Sequence, residues 1–67
     1  MYERYWLVTI TRNYFETKTM VYGTENAMQK LMTEICGFVP RYRGATEKEV
    51  EAAKTMKMKI YIAWVNI

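Results

Sequence analysis

The chain contains no His, no Asp and no Ser, and only one Cys, Cys36. Those absences remove the Ser/His/Asp and Cys/His nucleophile systems, the His- and Cys-based zinc sites and the Asp-led calcium loops. A lone thiol also rules out a disulfide within one chain, and it suits a reducing, cytoplasmic compartment. Glycine is scarce: Gly23, Gly37 and Gly44 stand far apart, so no glycine-rich phosphate loop can form. The first residues, Met1-Tyr2-Glu3-Arg4-Tyr5-Trp6, lack a positive segment followed by an apolar stretch, which points away from secretion. The longest apolar run, Ile60 to Val65, is far too short to span a bilayer, so no membrane role is expected.

What remains is 67 residues with 51% hydrophobic content, 25% charged content and a formal net charge of +3. This is a folding composition, sized for one small domain over 1–67. So short a chain balances apolar burial narrowly against ordering entropy, and oligomerisation or docking is a common way to widen that margin. The modest positive charge gives mild attraction to phosphates and falls short of a dedicated basic stripe.

Tyr5 to Thr11 is rich in aromatic and β-branched residues and reads as a strand. Asn13-Tyr14-Phe15-Glu16 interrupts it and Thr17 to Tyr22 resumes, which predicts a hairpin with a loop longer than two residues. Thr24 is a good N-cap, and Ala27, Met28, Leu31, Met32 and Ile35 follow at helical spacing up to Gly37, a natural C-terminal stop. Phe38 to Gly44 reads as a loop bounded by breakers. Thr46-Glu47-Lys48-Glu49 is a capping box that predicts a short helix to about Thr55, resting on Val50 and Ala53. Met56 to Ile67 reads as the last strand. The expected fold is α+β in the order β-β-α-α-β, a three-stranded, mainly antiparallel sheet with one principal helix on one face.

Period-two alternation places Trp6, Val8 and Ile10 beneath that helix, with Met58, Ile60, Ile62 and Trp64 of the last strand. The opposite, open face would carry Tyr5, Leu7, Thr9 and Thr11 with Lys57, Lys59, Tyr61, Ala63 and Val65. The last strand is apolar on both faces. With the first strand central, it becomes an edge guarded only by Lys59, and a homodimer through the edge of strand 57–66 is one way to cover it.

The seven Glu give no catalytic pair. Glu25, Glu47, Glu49 and Glu51 fall on charged helix surfaces, where they complement helix N-termini, and Cys36 reads as a small packing residue. No enzyme, cofactor or metal site is expected. The most distinctive polar feature is Arg41-Tyr42-Arg43, two guanidiniums flanking a ring, suited to a protein hot spot or to phosphates and a base. Tyr5 and Tyr61 with Lys57 and Lys59 on the open face complete the candidate binding residues. Alanine at Arg41, Tyr42 or Arg43 is expected to weaken binding and spare thermal stability.

The expectation for function is a non-enzymatic binding protein that covers a surface of a larger protein or nucleoprotein. In size and composition it is similar to phage or mobile-element inhibitors of host machinery, anti-CRISPR and other anti-defence proteins among them, acting in the host cytoplasm. The positive charge argues against the DNA-mimic subclass and favours an acidic protein surface or competition near bound nucleic acid. The alternatives are a small basic nucleic-acid-binding regulator and a structural subunit of a homo-oligomer.

Overall fold

The computed structural model describes residues 2–63. Its elements run β1 (Arg4–Arg12), β2 (Phe15–Gly23), α1 (Glu25–Cys36), β3 (Arg41–Gly44), α2 (Glu47–Thr55) and β4 (Ile60–Ile62). The four strands form one sheet in the order β3-β1-β2-β4. β1 pairs antiparallel with β2 and β3, whereas β4 runs parallel to β2. The fold is therefore α+β and mainly antiparallel, with four strands among the described residues where three were expected.

The helices lie on opposite faces, and connectivity explains why. β2 leads through α1 to β3 at one edge, and β3 leads through α2 to β4 at the other. The two crossovers travel in opposite directions along the sheet, so a common hand places their helices on opposite sides. Beneath α1, Val8 and Val21 pack with Ala27, Met28, Met32 and Ala63, joined at the margin by Trp6, Ile10, Leu31 and Tyr42. Beneath α2, Leu7 and Met20 pack with Ala53, flanked by Tyr5, Val50, Met58 and Ile60. Full burial of each Met or Val stabilises by roughly 1.5–3 kcal/mol relative to exposure.

Local signals act as their chemistry requires. Thr24 caps α1 by accepting from the Ala27 amide at 3.1 Å, and Gly37 (φ 82°) ends it by donating to the Thr33 carbonyl. The capping box of α2 is complete, with Thr46 and Glu49 each accepting from the other's backbone N–H. Gly23 (φ 152°) closes β2 where a Cβ would stand 2.6 Å from the Ala63 carbonyl oxygen, so only glycine lets β4 approach.

Several expectations need correction. The hairpin loop has only two residues, because Arg12 pairs directly with Phe15. Asn13 and Tyr14 both take positive φ, 49° and 70°, as a type I′ turn demands. Arg41 to Gly44 is a strand, held in register by β1. The last strand begins later than expected: Met56 and Lys57 form a turn with Lys57 at φ 55°, and β4 is Ile60–Ile62 among the described residues. Its faces are also exchanged. Met58 and Ile60 pack beneath α2, Tyr61 packs on the α1 side, and Ile62 is 46% exposed. Ile35 is exposed rather than part of the buried helix stripe. Trp64 and Val65 lie outside the described residues.

Candidate functional site

The expected site residues do not converge. Tyr42 faces α1 while Arg41 and Arg43 face the other side, because neighbours on a strand alternate. The Tyr42 hydroxyl donates to Glu25 Oε2 at 2.7 Å and accepts from Gln29 Nε2 at 2.6 Å, while its ring meets Trp6 edge-on at 5.6 Å. The hydrogen bond to Glu25 raises the Tyr42 pKa above 10.0. This side chain bolts the edge strand to α1.

Arg43 forms a bidentate pair with Glu49 at 2.8 and 2.6 Å, and Glu49 also accepts from the Thr46 amide. The Arg43 guanidinium, then the Thr46 amide, hold the Glu49 carboxyl down at about 2. Arg43 thus clips β3 to the first turn of α2. Alanine at Tyr42 or Arg43 should therefore cost stability, which replaces the expectation that both are spared. Arg41 differs. It approaches Glu16 only to 3.9 Å, and its side chain is 80% exposed.

Nor does the open aromatic face form, because α2 covers its middle. Tyr5 packs beside Tyr22 on the α2 side with centroids 4.7 Å apart, and Lys54 Nζ sits 5.7 Å from its ring. Tyr61, with Lys59 Nζ at 4.8 Å, belongs to the α1 side at the far edge. Lys57 lies in the turn after α2. A shallow depression of about 320 Å³ touches Leu7, Thr9 and the Arg41–Arg43 strand, with Arg43 already engaged by Glu49.

A different surface stands out. Beyond the helices the hairpin continues as a two-stranded arm in which every residue from Thr11 to Lys18 is exposed. At its tip Tyr14 is fully exposed and Phe15 77% exposed. The same end of the molecule collects further apolar side chains. α1 starts after Gly23, at the end opposite the turn, and runs back toward it. Exposed Ile35, Phe38 and Val39 therefore lie near the base of the arm, just before Arg41 pairs with Thr9. On the other face, exposed Met56 and Lys18 border a groove of about 250 Å³ floored by Leu7, Met20 and Met58. Arg12, Lys18 and Arg41 set positive charge around this end, against Glu16.

In the sequence, Tyr14 and Phe15 stand only as an interruption between two strands. Two aromatics where a tight turn prefers Asn-Gly or Asp-Gly are the signal that could have found them. Among the described residues no group of His, Cys, Asp and Glu is placed to hold a metal ion, and no helix is long and apolar enough to cross a membrane. No protein-family model matches the chain, and comparison with curated proteins and with solved structures returns no match.

Proposed function

We propose that this chain is a non-enzymatic binding protein that covers a surface of a larger protein or nucleoprotein, with the arm end as its contact surface. Tyr14 is the observation that carries this reading. A non-glycine residue in the left-handed region costs about 1–2 kcal/mol. The fully exposed Tyr14 ring recovers none of that through burial inside its own chain. Strain of this kind is typical of a residue kept for contact with something else. The surrounding apolar groups and the Arg12, Lys18 and Arg41 cations match an apolar cleft with an acidic rim.

The absence of His, Asp and Ser supports the narrower reading, a phage or mobile-element inhibitor of host machinery that works in the host cytoplasm, as anti-CRISPR and other anti-defence proteins do. The test is affinity capture from host lysate, followed by affinity measurement on the purified partner with wild type and Tyr14→Gly. The variant should fold as well and bind about tenfold more weakly. Equal affinity would move the contact surface elsewhere. Binding to nucleic acid instead, falling steeply with salt, would favour the regulator reading, in which the arm enters a groove as a two-stranded ribbon.

A further inference from the structure

We propose that two copies of this chain pair through the outer rim of β2, between Phe15 and Thr19, about a two-fold axis at Thr17. No described strand pairs with that rim. β4 begins beside Met20 and runs away from the turn, and among the described residues no strand lies beyond Phe15 to Thr19 on that side. The backbone orientation follows from observed bonds. The Ala63 amide donates to the Tyr22 carbonyl at 2.8 Å, so Tyr22 presents its backbone groups outward. Alternation along the strand then turns the N–H and C=O of Lys18 and Glu16 outward as well, with those of Thr17 and Thr19 facing β1.

A rim that presents these polar groups is a template for another strand. In antiparallel self-pairing centred on Thr17, Glu16 of one copy stands directly opposite Lys18 of the other, and the reciprocal pair is generated by symmetry. These are the residues whose backbone groups point outward, so each pair exchanges both ladder hydrogen bonds. It also sets a carboxylate against an ammonium on the same face.

The neighbouring registers fail. A shift toward the turn sets Glu16 against Glu16. A shift the other way sets Lys18 against Lys18 and drives Glu16 onto Met20, where β4 already sits. Charge thus selects one register. On the opposite face the same register lays Phe15 beside Thr19 of the second copy, an aromatic and β-branched pair that covers a ring left 77% exposed in the single chain. Tyr14 lies in the turn, past the last paired residue. This dimer does not use the β4 edge; it engages Phe15 and Lys18 of the arm but leaves Tyr14, Arg12 and Arg41 outside its paired residues.

Sedimentation equilibrium across low micromolar to near-millimolar protein tests it with two charge reversals. Wild type should show a concentration-dependent monomer–dimer equilibrium. Glu16→Lys alone and Lys18→Glu alone place like charges opposite one another, and each should dimerise about tenfold or more weakly. Mixed together, the two variants restore opposite charges at both pairs and should form a heterodimer about as tight as the wild-type dimer. Circular dichroism establishes that each variant is folded before mixing. A wild type that stays monomeric throughout would overturn the proposal. So would single variants that dimerise like wild type, or a mixture no tighter than its components.

Discussion

The hairpin is one continuous pair of strands with two unlike halves. From Arg4 to Val8 and from Thr19 to Gly23 it is sandwiched: α1 lies over one face, α2 over the other, and a strand flanks each side over most of this length. Side chains there are committed. Trp6 donates to the Gly23 carbonyl, Tyr42 bridges Trp6 to α1, and Arg43 holds the cap of α2. Past Ile10 the same two strands run on with no described helix above or below, and every side chain from Thr11 to Lys18 is exposed. Both halves share backbone geometry, so the difference lies in what each side chain touches. The first half holds the fold, and the second is available for contact.

Substitutions in the enclosed core and in the arm sharpen that contrast. The largest effect belongs to the core: Met28→Ala should lose about 3 kcal/mol in urea denaturation, as expected for truncating a fully buried methionine. Gly23→Ala follows at about 2 kcal/mol, because its Cβ meets the Ala63 carbonyl and its φ suits only glycine. Loss of a core-like amount from Phe15→Ala at low protein concentration would break the comparison, since the arm is expected to lose less than about 0.5 kcal/mol.

Smaller effects separate the arginines. Arg43→Ala should lower the thermal midpoint, and Arg41→Ala should leave it within error, because only Arg43 forms a bidentate pair. The same pair sets an acid limb. The Glu49 carboxyl titrates near 2 in the folded chain against an ordinary 4.5, so its stabilisation is complete above about 4.5. It fades as pH falls toward 2. Glu49→Gln should flatten that part of the stability–pH curve, and an unchanged curve would contradict the assignment.

Much of the fold was legible because the signals are local. Thr24 and Gly37 delimit α1, the Thr46–Glu49 box opens α2, and aromatic and β-branched runs mark the hairpin. β3 was not legible, since Arg41 to Gly44 has breakers at both ends and takes its strand geometry from pairing with β1. The faces of β4 were misassigned because both sides of the sheet are covered, so apolar alternation no longer distinguishes inside from outside. The expected binding residues do not share one surface. Adjacent in sequence, Arg41, Tyr42 and Arg43 alternate across a sheet, and α2 occupies the face assigned to Tyr5. The exposed arm was not legible either, because the two-residue turn that lifts Tyr14 clear of the sheet depends on positive φ at both of its residues.

Urea denaturation of Tyr14→Gly, at protein concentrations low enough to suppress self-association, tests most directly whether the arm is spared folding duties. Replacing a left-handed tyrosine with glycine should stabilise the chain by about 1 kcal/mol, or at the least leave it as stable as wild type. A loss of more than about 1 kcal/mol would show that the ring serves the fold after all.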